Sequence, residues 1–134
     1  MGETLEIIKK RRSVRGYKAD MVPKDVLDKI IEAGTYAATG MGRQSPVIIA
    51  VESKAYRDRV SKLNAAVLGS DTDPYYGAPV IILVLADSSR PTYVEDASCV
   101  LENMMLAAHS LGLGSIWIHR AKEEFEMPEY QQLL

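Results

Sequence analysis

Residues 96–118 read Asp-Ala-Ser-Cys-Val-Leu-Glu-Asn-Met-Met-Leu-Ala-Ala-His-Ser-Leu-Gly-Leu-Gly-Ser-Ile-Trp-Ile. Apolar or small side chains recur at Ala97, Val100/Leu101, Met104/Met105, Ala108 and Leu111. They cover more than one stripe of a 3.6-residue period, which predicts a central buried helix over 96–111. Gly112 then acts as a helix C-cap, and Ile116-Trp117-Ile118 is predicted to be a short strand. The order decides the fold class. A dinucleotide fingerprint sets its glycines between a strand and the following helix, whereas Gly112 and Gly114 lie between a helix and the following strand. A Rossmann site is therefore not supported.

Upstream, Val47-Ile48-Ile49-Ala50-Val51 and Val80-Ile81-Ile82-Leu83-Val84-Leu85 are continuous apolar runs of strand length, as expected of buried strands. Between them, 54–66 reads as a surface helix of mixed character, and 68–78 as a polar loop in which Tyr75 and Tyr76 either cover a sheet edge, as aromatic residues mostly do, or stack on a planar ligand. Three strands make a small sheet whose edges require covering or pairing, by a partner subunit or by chain missing here. Further upstream, Val26/Leu27, Ile30/Ile31, Gly34 and Ala37/Ala38 define an amphipathic helix that Pro23 opens in its first turn. It ends at Thr39-Gly40-Met41-Gly42-Arg43-Gln44-Ser45-Pro46, where glycines stop the helix and let a ligand approach backbone. Downstream, 121–125 is expected to be helical and Pro128 to open a last helix.

The N-terminal segment carries the charge signal. Thr4 is read as the cap of a first helix that runs to about Lys10 or Arg12, with Leu5 and Ile8 on its inner side. Lys9-Lys10-Arg11-Arg12-Ser13-Val14-Arg15-Gly16-Tyr17-Lys18 holds six of the sixteen Lys and Arg and no acid, leaving ten basic against eighteen acidic side chains elsewhere. Cations suit a helix C-terminus, which accounts for residues 9–12; Ser13 and Arg15 fall beyond it. Guanidinium forks with a hydroxyl between them suit a bound phosphate. The pI of about 5.7, and the lack of aromatic residues among the basic ones before Tyr17, argue against nucleic acid.

A chain of 134 residues with 47% hydrophobic composition suits one domain over 1–134. No apolar run is long enough to cross a membrane and the N-terminus is charged, so a cytoplasmic protein is expected. One cysteine and two separated histidines give neither an intrachain disulfide nor metal-ligand spacing.

Taken in order, Arg-Arg-Ser-x-Arg, the Thr-Gly-Met-Gly-Arg-Gln-Ser-Pro loop before a strand, Tyr-Tyr-Gly-Ala-Pro before a second, and Asp-x5-Glu-Asn-Met-Met-Leu-Ala-Ala-x-x-Leu-Gly-Leu-Gly-Ser resemble the nitroreductase family of FMN-dependent oxidoreductases. That resemblance implies an α+β fold, a central sheet flanked by helices, working as an intertwined homodimer with FMN at the subunit interface. It implies that Arg11, Arg12 and Ser13 hold the ribityl phosphate and chain, and that Arg15 faces the flavin pyrimidine edge. Thr39, Gly40, Gly42 and Gln44 match the loop against the isoalloxazine ring, with Gly42 standing where the family commonly has Asn. Ile118 and His119 match the segment whose backbone passes flavin N5. The implied reaction is ping-pong hydride transfer from NADH or NADPH to a nitroaromatic, quinone or similar acceptor. Specialised dehalogenating or flavin-cleaving relatives, and a non-catalytic flavin-binding fragment, are the alternatives. The family usual C-terminal strand and tail are expected to be lacking after Leu134.

Overall fold

The computed structural model describes residues 2–134. Helices α1 (Glu3–Lys10), α2 (Lys24–Thr35), α3 (Lys54–Leu68), α4 (Tyr93–Ser110), α5 (Ala121–Glu124) and α6 (Pro128–Leu133) accompany strands β1 (Val47–Val51) and β2 (Ile81–Leu85). The two strands form one sheet, so the fold is α+β and rich in helix, as expected. The chain divides into two compact units. Among the described residues the first comprises 2–14, 22–49 and 82–116; the second comprises 15–21, 50–81 and 117–134.

The first unit is built on α2 and α4. The i, i+4 stripe Asp96, Val100, Met104 and Ala108 is buried on α4, and Leu27, Ile30 and Gly34 on α2. Ile30, Ala37, Val100, Met104 and Ala108 form the core, against which Ile48, Ile82 and Val84 of the strands pack. Gly34 sets how closely α2 approaches, because a Cβ there would lie 2.9 Å from Ile48 Cδ1 and from Met104 Cγ. Asn103 Nδ2 donates to Ala33 O at 3.0 Å and fixes the register of the pair.

Three details differ from the sequence reading. The N-cap of α1 is Gly2, with Thr4 inside the first turn, and Leu5 and Ile8 are about half exposed, at 47% and 51%. No residue of α1 is fully buried, so its apolar stripe is left half uncovered in this unit. Helix α2 starts after Pro23 and stops at Thr35, while Ala37 keeps its place in the core as irregular chain. The strand expected at Ile116–Ile118 is absent: Ser115 makes one parallel bridge with Ser13, and Val14 N–H donates to Ser115 O at 3.1 Å. A β-branched neighbour crowds that crossing, since a Cβ on Gly114 would lie 2.9 Å from Val14 Cγ2.

The second unit is held together by polar groups. Helix α3 buries Arg57, Val60, Ser61, Asn64 and Ala65, so its inward stripe is largely hydrophilic. Arg57 Nε donates to Ala78 O at 2.7 Å and its Nη2 pairs with Asp73. Asp73 Oδ1 also accepts Ser61 Oγ at 2.7 Å and Tyr75 N–H at 2.9 Å, and Oδ2 accepts Gly77 N–H at 2.9 Å. Burial raises the Asp73 carboxyl, but the hydrogen bonds from Ser61, Arg57, Tyr75 and Gly77 outweigh it and hold it below the usual carboxylate range. Deeper in, Asn64 Nδ2 and the Tyr75 hydroxyl donate to Glu124 Oε1 at 2.9 and 3.1 Å. Arg120 Nε donates to Asn64 Oδ1 at 3.2 Å, and the Tyr130 ring lies 5.3 Å from that of Phe125. Tyr75 is therefore core, whereas Tyr76 remains 37% exposed.

Candidate functional site

In the first unit, the basic run leaves α1 directly. Arg11 closes the helix, its N–H donating to Ile7 O at 3.0 Å. Arg12 folds back, Nη1 donating to Lys9 O at 2.7 Å and to Arg11 O at 2.8 Å, as a cation at a helix C-terminus should. Arg11 Nη1, by contrast, is buried with no hydrogen-bond partner among the described residues. Ser13 is exposed, its backbone fixed by the bridge to Ser115. A guanidinium nitrogen left without an acceptor, two residues from an exposed hydroxyl on fixed backbone, suits an oxyanion such as a phosphate.

The loop carrying Thr39, Gly40, Gly42 and Gln44 also lies in this unit. Met41, Gly42 and Gln44 have φ of +56°, +64° and +53°, a left-handed backbone that non-glycine residues seldom adopt. Gly42 has open space where a Cβ would be. Gln44 N–H donates to Thr39 Oγ1 at 3.0 Å, and Gly40 N–H to Asp96 Oδ1 at 2.9 Å. Gly40 is a glycine for a packing reason, since its Cβ would stand 2.2 Å from Thr92 Oγ1. Beside the loop, a cavity of about 340 Å³ is lined by Gly34, Thr35, Gln44, Pro46, Ile48 and Val100. Asp96 and Thr92 were missed as site residues by the sequence reading. A Thr and an Asp in the first turn of an apolar helix look like ordinary capping chemistry.

Arg15, Ile118 and His119 belong to the second unit. Burial pushes the Tyr17 hydroxyl up, the Arg15 charge draws it part of the way back, and Tyr76 adds to the rise, so Arg15, Tyr17 and Tyr76 share one neighbourhood. The Ile118 and His119 carbonyls accept the Ala121 and Lys122 N–H groups that begin α5, and the His119 side chain is exposed. Among the described residues no group of three or more His, Cys, Asp or Glu is placed to hold a metal. No helix among them is long and apolar enough to cross a membrane.

A family model described as the nitroreductase family matches residues 8–74 and 69–133. A protein of Methanothermobacter thermautotrophicus, named provisionally as an NADH dehydrogenase/NAD(P)H nitroreductase, is 33% identical over 123 residues, covering 86% of this chain and 60% of that protein. The chain thus spans about three fifths of the length of that relative. A Bacteroides fragilis nitroreductase crystallised with bound FMN superposes with a TM-score of 0.92 at 33% identity, over 100% of this chain and 79% of that one. A Desulfitobacterium hafniense nitroreductase with bound FMN gives 0.83 at 28% identity, over 93% and 74%. With the family model running through both the basic turn and the glycine loop, this chain belongs to the nitroreductase family.

Proposed function

We propose that the chain is the FMN-binding part of an NAD(P)H-dependent oxidoreductase that reduces nitroaromatic, quinone or similar acceptors. The observation that carries this reading is the buried Arg11 Nη1, without a partner among the described residues and two residues before the exposed Ser13, in a chain similar to two nitroreductases crystallised with FMN. FMN when bound supplies hydride chemistry, and the protein supplies binding, orientation and charge. Arg11 and Ser13 would hold the phosphate, with the Arg12 guanidinium adding charge while its Nη1 closes α1. Thr39, Gly40, Gly42 and Gln44 would line the ring from the left-handed loop, and the backbone of Ile118 and His119 would pass its reactive edge. Arg15 would place a fixed cation where negative charge gathers on reduction.

The reading includes a homodimer. The half-exposed Leu5 and Ile8 on α1 and Trp117 at 46% are apolar surface that a second copy would cover. It keeps the protein in the cytoplasm.

The first test is whether the purified chain is yellow and releases FMN on denaturation; a colourless chain that takes up no added FMN overturns the reading. Replacing both Arg11 and Ser13 by Ala is expected to weaken FMN binding by at least about tenfold, since each removes a donor to a charged group. Full cofactor retention in a titration would refute the phosphate assignment. Arg15→Ala is expected to slow flavin reduction by NADH or NADPH about tenfold, with a smaller change in FMN affinity, because its partner charge develops only on reduction. Stopped-flow kinetics beside an FMN titration separate the two effects. Unchanged reduction kinetics with equal FMN loss would assign Arg15 to binding instead.

A further inference from the structure

We propose that Asp96 is a positioning residue whose buried carboxylate fastens the 39–44 loop to α4 in the backbone conformation that faces the flavin. The proposal rests on the flavin reading above. Asp96 is 5% exposed, and an acidic group is costly to bury unless donors meet it. Both oxygens are met: Oδ1 by Gly40 N–H at 2.9 Å and Oδ2 by the Thr92 hydroxyl at 3.1 Å. Its backbone is equally fixed, Asp96 N–H donating to Thr92 O at 2.9 Å.

The loop needs such an anchor. Two of its residues, Met41 and Gln44, are non-glycine at positive φ, a conformation that persists only where the surroundings over-determine it. Gln44 N–H to Thr39 Oγ1, Gly42 N–H to Thr39 O and Arg43 N–H to Gly40 O are internal to the loop. The Asp96 bond reaches outside it to a helix whose opposite end is locked in the core through Met104 and Ala108. Gly40 completes the joint: with 2.2 Å between its missing Cβ and Thr92 Oγ1, no larger residue lets the loop sit this close to α4.

The full chain is tested with two readouts: amide hydrogen exchange at Gly40 without flavin, and FMN affinity by fluorescence quenching. Asp96→Ala is expected to accelerate Gly40 exchange and raise the FMN Kd, each by about tenfold. Asp96→Asn keeps an acceptor oxygen for Gly40 N–H and should stay within about threefold of wild type on both. Should Asp96→Ala fail to fold, Gly40→Ala attacks the same joint from the loop side. It is expected to weaken FMN about tenfold, and Thr92→Ala added to it should restore most of the loss. Faster Gly40 exchange with unchanged FMN affinity would overturn the positioning role, as would Gly40→Ala binding FMN like wild type. A wild-type chain that binds no FMN overturns the flavin reading and the ligand half of this proposal. The exchange arm still decides whether Asp96 holds the loop.

Discussion

Asp73→Ala is expected to lower the unfolding free energy by about 2 kcal/mol, because it takes from the buried Arg57 its shorter ion pair and leaves only Asp58 Oδ1 at 3.5 Å and Ala78 O. The Arg57 side chain is 10% exposed and that of Asp73 32%, so the loss stays below that of a fully sealed pair. The deletion also frees the Ser61 hydroxyl and the Tyr75 and Gly77 amides, each a donor that needs an acceptor when removed from water. Urea denaturation measures it as a lower midpoint at similar slope. The pH dependence has a definite sign. The folded-state pKa of Asp73 is depressed, so its stabilisation is present above the ordinary value of 3.8 and is lost as pH falls through the folded value. Asp73→Ala should erase that acid limb. A midpoint within experimental scatter of wild type would show that Ala78 O and Asp58 hold Arg57 without Asp73.

Glu124→Gln is expected to act in the opposite direction. Glu124 is fully buried, its Oε1 takes both available hydrogen bonds, and Oε2 has none among the described residues. Burial pushes its pKa up, and the bonds from Asn64 and Tyr75 recover only part of the rise. Tyr75 and Tyr130 face it, their hydroxyls pushed up by burial and by the Glu124 charge. A raised folded-state pKa means that the stabilisation is complete below the ordinary value of 4.5 and is lost as pH climbs through the folded value. One proton is at stake, so stability should fall by up to about 1.4 kcal/mol per pH unit inside that window. Gln keeps the shape and the Oε1 acceptor but never ionises. The variant should match wild type at low pH and exceed it above the window, in urea melts repeated across pH. Parallel curves for the two proteins would mean that Glu124 takes up its proton alike in the folded and unfolded chain, with no shift.

The same residues mark how far the sequence could be read. Strands β1 and β2 and helices α2 and α4 were legible because each carries a local apolar pattern, and local patterns are what a sequence displays. Boundaries moved by a few residues: α4 starts at Tyr93 rather than Asp96, and α2 stops at Thr35. Ile116–Ile118 misled because three apolar residues after a glycine turn look like a strand wherever they pair. In the fold the one bridge falls on Ser115, just before them. Leu5 and Ile8 were legible as an apolar stripe but not as an uncovered one, since a period does not say what lies opposite it. Helix α3 was read as a surface helix because its inward stripe is Arg57, Ser61 and Asn64. Their partners lie 12 to 60 residues away, which no local window shows. The candidate site was legible as motifs in order. Its joints were not: Asp96 reaches Gly40 across 56 residues, and Arg12 closes a helix end where a free phosphate ligand was expected.

The single rung between Ser13 and Ser115 has a consequence for assembly in time. The basic turn is made early by the ribosome, yet the residue that bridges to its backbone, Ser115, is synthesised roughly a hundred residues later. Contacts of such long range form late, after the loop-closure cost has been met by other structure. The basic turn of this protein therefore waits on the completion of α4, and a nascent chain released or cleaved before that helix is finished would carry its arginines without a seat for them.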